Sequence, residues 1–310
     1  ASENVLYGKI IAISVSWFIG SGFWSVIGVI NFYLGISIQT TIVETGILGI
    51  CGWGLLGKSI KENTFQLKFT FSKFYLNRVE WFALCVVIFS LLIYAYLAIA
   101  PVHHWDAAVK YLTRSKEIAS GWELKDYGYL NSDNMIDISE AQSVYAAALD
   151  SYVARGRRLL GLIFCSTLIW GSLRLLEAKQ LWSLMAVAVF LLSPEVMLLG
   201  VSSKPDSVVL TLEFSALLML TLALAFPPAK INRLPFVTAA VFLSLLACAG
   251  RMSGIYFAAF SLLISLYFLF KSKDSPTIKV AYFCVIITSG FFCTISYFYN
   301  LYEIGNPLYP

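Results

Sequence analysis

Charge is what this sequence has least of. Only 13% of its 310 residues are Asp, Glu, Lys or Arg, about half the share found in a soluble domain. Histidine occurs twice, as His103 and His104, and two imidazoles beside one acid are too few to establish a metal site. The six cysteines (Cys51, Cys85, Cys165, Cys248, Cys284 and Cys293) all lie inside apolar runs. None has metal-ligand spacing or sits in a polar loop where a disulfide framework is expected. They read as small apolar residues facing helices or lipid. The net charge of +4 is too small to point to nucleic acid. A cleavable leader is not expected, because the first apolar run is long and no small-residue cleavage site stands out.

Apolar sequence fills the space that charge leaves. Hydrophobic residues make up 59% of the chain and the mean hydropathy is +0.77. Runs near 20 residues recur, the length that crosses roughly 30 Å of hydrocarbon as helix. The expected fold class is all-α: a polytopic membrane protein with about nine transmembrane helices and a long outer loop carrying amphipathic surface helices. The spans fall at about 10–32, 41–57, 80–100, 157–173, 180–199, 207–226, 235–249, 254–270 and 279–300. The stretch 234–270 is too long for one span, and Gly250 and Gly254 bracket Arg251 near its middle, so two short helices are expected there. Residues 1–79 form an N-terminal hairpin with an inner basic loop. Residues 80–310 form the main transmembrane domain, with the outer loop at 101–156.

Charge asymmetry orients these spans. With the N-terminus inside, the inner segments collect 13 of the 22 basic residues against five acids. The outer side holds nine basic residues against 13 acids. The expected location is a bacterial inner membrane, with the N-terminus cytoplasmic. Four unusual features then share the outer face: the loop 101–150, the Ser202–Asp206 turn, Arg251 and Gly305–Pro310. Glu44, near a span end, is expected at the membrane interface and receives no functional role.

The outer loop is the one long polar segment. Trp105, Ala108, Val109 and Leu112 recur at helical spacing with Lys110, Arg114 and Lys116 on other faces, as in a helix lying along a membrane surface. A second such helix is expected over 138–152. Pro101-Val-His-His-Trp-Asp-Ala-Ala-Val-Lys-Tyr-Leu resembles the first outer loop of the GT-C type glycosyltransferases that use polyprenyl-phosphate sugars, the protein mannosyltransferase and aminoarabinose-transferase-like superfamily. Three further stretches match in order. Ser193 to Asp206 resembles a Pro-containing span followed by a Lys-Pro-Asp turn. Gly250-Arg-Met-Ser-Gly254 resembles a break between two short helices. Asn300 to Pro310 resembles the Gly-Asn-Pro-x-Tyr-Pro loop. The resemblance covers roughly residues 80–310.

The resemblance implies transfer of a sugar from a polyprenyl-phosphate donor to an acceptor hydroxyl on a glycan, lipid or protein, at the outer face. Asp106 is then the base that takes the hydroxyl proton; the alternative is an acid placed to suit a helix N-terminus. Glu140 is a candidate second acid. His103 and His104 either position the acceptor, join Asp106 around a divalent cation, or sit at the interface. Arg157, Arg158, Lys204 and Arg251 are candidates for the donor phosphate, against the alternative of side chains reaching for headgroups. Arg251 leads, because irregular backbone at membrane depth must line protein or a cavity. Asp206 reads equally as a helix-start residue after Ser203 and Pro205. Asn306 and Tyr309 belong to a turn that is structural or meets substrate.

Two departures from the family pattern bear on function: the extra hairpin at about 1–60, and an end at Pro310 where such enzymes usually continue. They motivate a second expectation, a non-catalytic membrane subunit of a larger complex built on the same scaffold. A transporter is the weaker third reading, since intramembrane charge is sparse and no inverted repeat is visible.

Overall fold

A computed structural model of the chain describes residues 2–37, 39–44, 46–47, 50, 76–100, 151–200, 206–225, 233–251, 254–271 and 275–304. Among them no strand occurs, and beside a helical stretch at 39–44 ten helices form one bundle: α1 (Ser2–Tyr33), α2 (Arg78–Ile99), α3 (Ser151–Leu175), α4 (Gln180–Leu192), α5 (Pro194–Leu199), α6 (Asp206–Ala225), α7 (Leu234–Gly250), α8 (Ile255–Lys271), α9 (Pro276–Cys293) and α10 (Ile295–Ile304). The all-helical class is as expected. Four segments are long and apolar enough to cross a membrane, Leu6–Asn31, Arg78–Ile99, Arg155–Leu175 and Val208–Ala225, and four shorter apolar helices accompany them. The expected span at 41–57 lies largely outside the described residues.

Helix ends follow local chemistry. At the start of α2, Asn77 accepts from the Glu80 amide at 2.9 Å while the Glu80 carboxylate accepts from the Asn77 amide at 2.9 Å, a reciprocal cap. The expected continuous span at 180–199 is instead two helices. Ser193 ends α4 and caps α5, and Pro194 follows at the first helical position. Proline lacks the amide that would continue the ladder, so the chain breaks and restarts there. The span expected at 279–300 is likewise interrupted, at Thr294 between α9 and α10. The division of 234–270 falls where the glycines predict it, with α7 ending at Gly250 and α8 starting at Ile255.

Side-chain pairs give the direction of each helix. α1 runs antiparallel to α3: Tyr7 meets Trp170 edge-on, Trp17 stacks on Phe164 at 4.8 Å, and the Arg157 guanidinium lies over Trp24. Midway, the Ser14 and Thr167 hydroxyls hydrogen-bond at 2.9 Å. α2 runs parallel to α4, with the Tyr94 hydroxyl donating to the Leu191 carbonyl. α6 and α7 are antiparallel, sharing Ala223 and Val237 at one end and Asp206 and Arg251 at the other. α8 returns along α7, where the Ser244 hydroxyl donates to Ser261 at 2.8 Å. α1 packs on α7, with Gly22 against Leu246 and Phe23 stacked on Phe242.

α7 is the centre of the bundle. Ala240, Val241, Leu243, Leu246 and Ala247 are fully enclosed, and α1, α6, α8 and α9 all pack on it. Its alanine, serine and glycine content allows this, because small side chains let neighbouring backbones approach without a gap. The outward faces of α2 and α8 stay apolar: Phe82, Phe89, Tyr96, Tyr256, Leu263 and Phe270 are all exposed, as suits surfaces that meet hydrocarbon.

Tyr94 offers a direct check on this packing. Its ring is buried and its hydroxyl is used. Tyr94→Phe leaves the Leu191 carbonyl without that donor and is expected to cost about 1–2 kcal/mol. A thermal melt in detergent measures it as a Tm lowered by a few degrees.

Candidate functional site

The pairings place one set of helix ends together: the ends of α2, α4 and α7 with the starts of α3, α6 and α8. We call this the distal end of the bundle. The candidate residues that the structure describes, Arg157, Arg158, Asp206 and Arg251, all lie there. Asp106, Glu140, His103, His104, Lys204, Asn306 and Tyr309 lie outside the described residues, as do both expected surface helices apart from the start of α3.

Arg251 and Asp206 form an ion pair. They are 45 positions apart in sequence and belong to two different motifs. α7 ends in the extended residue Arg251, whose amide still donates to the Ala247 carbonyl at 3.0 Å. α6 begins at Asp206, as a helix-start reading of that residue predicts. The helix-start role and the contact with Arg251 therefore coexist. The Arg251 side chain is 57% exposed and that of Asp206 21%, so the pair stands at a surface and contributes little stability by itself.

Gly254 holds this corner tightly. A Cβ there would lie 2.8 Å from the Cys248 nitrogen and 2.9 Å from the Ala247 carbonyl carbon. Gly254 thus rests directly on the backbone of α7. Close by, the Tyr297 hydroxyl of α10 donates to the Cys248 carbonyl at 2.7 Å.

Three arginines occupy the first turns of α3. Arg155 is only 5% exposed and donates through Nη1 to the Ala100 and Leu97 carbonyls. A guanidinium on the last carbonyls of α2 satisfies groups that the helix leaves open and suits the negative end of its dipole. Arg157 lies over the Trp24 ring, 5.4 Å from its centroid, where an aromatic face attracts a cation. Arg158 is 8% exposed. Cys165 of α3 meets Ser215 of α6, so α3 packs against the helix that Asp206 begins.

Sequence reasoning missed Arg155 and Trp24. A signal for Arg155 was present, since it stands one helical turn before Arg158 against the charge trend of its side. Trp24 had none, because its role depends on a helix more than a hundred residues away. Glu44, expected at the interface, accepts from the Asn31 amide at 2.8 Å, and the same amide group donates to Thr41 at 2.9 Å. This contact ties the helical residues 39–44 to the end of α1. Among the described residues five cysteines are free, with Cys165, Cys248 and Cys293 buried and Cys85 and Cys284 exposed. Among the described residues no three His, Cys, Asp or Glu side chains gather as a metal ion requires.

Chemically, the distal end gathers four guanidinium groups, with Arg155 and Arg158 buried, Arg157 over Trp24 and Arg251 exposed but paired with Asp206; α2 ends there, just before the segment containing His103, His104 and Asp106. Comparison with family models, characterised proteins and solved structures finds no match for this chain.

Proposed function

We propose that the chain is an integral-membrane glycosyltransferase that moves a sugar from a polyprenyl-phosphate donor to an acceptor hydroxyl at the outer face. The observation that carries the reading is the Asp206–Arg251 ion pair. Two of the four motifs that suggest the family meet there, at the end of the bundle where α3 begins and where α2 ends before the Asp106 segment. The distal end is the outer one on this reading. Arg78, Arg174, Lys179, Arg233 and Lys271 then fall at the opposite, inner end, in keeping with the enrichment of basic residues on the cytoplasmic side.

The chemistry follows from charge. The acceptor oxygen forms a bond to the anomeric carbon, the bond from that carbon to the phosphate oxygen breaks, and both bonding electrons leave with the phosphate. Arg251, with Arg157, Arg158 and Lys204, would counter the charge that develops on the leaving group. Asp106 would take the proton that the acceptor loses, with His103 and His104 orienting the acceptor and Glu140 a later acid in the same loop. A divalent cation held between this loop and the phosphate would serve the same neutralising end. The Asn306 and Tyr309 turn would border the acceptor.

The test is release of polyprenyl phosphate by the purified chain in lipid vesicles supplied with labelled polyprenyl-phosphate sugars and membrane-derived acceptor. Arg251→Ala is expected to lower kcat/KM for the donor about 10–100-fold, the loss of one charge-assisted contact, and Arg251→Lys to recover part of it. Wild-type protein that turns over no lipid-phosphate sugar would falsify the reading and leave the non-catalytic subunit in its place.

A further inference from the structure

The C-terminal end of α7 is held from a helix that the chemistry above does not use. A helix leaves its last carbonyls without partners of its own, and in α7 those of Ala247 and Cys248 stand beside the break. The Arg251 amide donates to both, at 3.0 and 3.2 Å. The Cys248 carbonyl takes a second donor, the Tyr297 hydroxyl of α10, at 2.7 Å. A carbonyl oxygen has two lone pairs, and both are used here. Beyond the break the Arg251 carbonyl accepts from the Gly254 amide at 3.0 Å. The backbone of Arg251 is therefore held before and after the residue, while its side chain reaches Asp206 on α6.

Local chemistry puts Tyr297 where it can do this. α9 packs beside α7, so that a Cβ on Gly290 would lie 4.0 Å from Leu245 Cδ1. It ends at Thr294, whose hydroxyl donates to the Gly290 carbonyl at 2.6 Å. The Thr294 carbonyl then accepts from the Tyr297 and Phe298 amides at 3.0 and 3.2 Å, which starts α10. Tyr297 stands half-buried in the first turn of that helix, and the same helix carries Asn300 and the start of the Asn300–Pro310 stretch. Elements of three of the four family-like stretches are thus joined at one corner, Arg251 to Asp206 and α10 to the last turn of α7.

Resting on the reading of Arg251 as a contact for the donor phosphate, we propose that Tyr297 is a positioning residue for that contact. It acts through Arg251 and touches neither the donor nor the acceptor. A guanidinium presents its donors as a rigid planar fork, and such a fork grips phosphate well only when its direction is held. Asp206 holds the side chain, and the Tyr297 hydroxyl ties the turn that bears it to α10. Without that hydroxyl, the Cys248 carbonyl keeps only the longer bond from the Arg251 amide. The corner then moves more freely, and the phosphate is gripped less tightly.

The experiment is a double-mutant cycle on the full chain in lipid vesicles. It is read as Kd for polyprenyl phosphate and as kcat and KM for a labelled polyprenyl-phosphate sugar. Tyr297→Phe keeps the ring and removes the hydroxyl. It is expected to raise Kd and donor KM about three- to tenfold, the worth of one hydrogen bond, with kcat within about twofold of wild type. In an Arg251→Ala background the same substitution should shift Kd and KM by less than about twofold, since a residue that acts through Arg251 has nothing left to position. A purely structural role would instead lower the folded fraction, which reduces apparent kcat at constant KM in both backgrounds. Wild-type Kd in Tyr297→Phe, or an equal rise in both backgrounds, overturns the proposal. Polyprenyl phosphate bound with the expected dependence on Tyr297, but no sugar transferred by wild type, supports the proposal and removes the glycosyltransferase reading. Transfer that is indifferent to Tyr297 does the reverse, and wild type that neither binds nor transfers overturns both.

Discussion

Asp106→Asn is expected to abolish most sugar transfer while leaving the donor bound. An amide of nearly the same shape keeps the hydrogen bonds of a carboxylate but cannot take a proton. On the proposed reading kcat should therefore fall about 10²–10⁴-fold, the range that a positioned general base contributes. KM for the polyprenyl-phosphate donor should move little, because the donor's phosphate is assigned to arginines on α3 and α7 and not to Asp106. The split between kcat and KM is the informative measurement. Arg251→Ala should act mainly on donor handling and Asp106→Asn mainly on turnover. A wild-type rate in Asp106→Asn removes this residue from the mechanism. A rise in KM alone reassigns it to positioning.

The second large effect is structural and independent of any activity. Gly254→Ala should destabilise the bundle by about 1–3 kcal/mol and lower Tm by roughly 5 °C. The added carbon would meet the Cys248 nitrogen and the Ala247 carbonyl carbon inside 3 Å. Those are backbone atoms of the most enclosed helix, and they cannot turn aside as a side-chain tip can. To make room, α8 must lift from the end of α7, and Arg251 moves with that corner, away from Asp206. Gly156→Ala is the matched control. Its Cβ would meet nothing within 4 Å, and alanine in a helix is favoured over glycine by about 0.5–1 kcal/mol, so Tm should hold or rise. If both variants melt alike, the tight approach at Gly254 carries no energetic weight.

The candidate site was legible in part. Arg251 at the break between α7 and α8 and Asp206 at the start of α6 were readable because each is encoded locally. Glycines bracket one, and a proline-bearing turn precedes the other. Their meeting was not readable, since nothing at position 206 names position 251. Arg155 shows the same limit from another side. Its charge is visible in sequence, but its work on the carbonyls of Leu97 and Ala100 depends on how α3 leans against α2.

The sequence by itself determined that this is a bundle of apolar helices, because low charge and runs near membrane length admit little else in hydrocarbon, where each backbone polar group must be satisfied within its own segment. It also determined the break at Gly250–Gly254 and the helix start at Asp206, because glycine and proline act on the backbone next to them. Tertiary structure alone decided which ends share a neighbourhood, that α7 stands at the centre, and that Arg251 finds Asp206. Between apolar helices, helix-forming tendency says nothing about partners. Small differences in side-chain shape and a few polar contacts choose the neighbours, and those are properties of pairs of residues far apart in the chain.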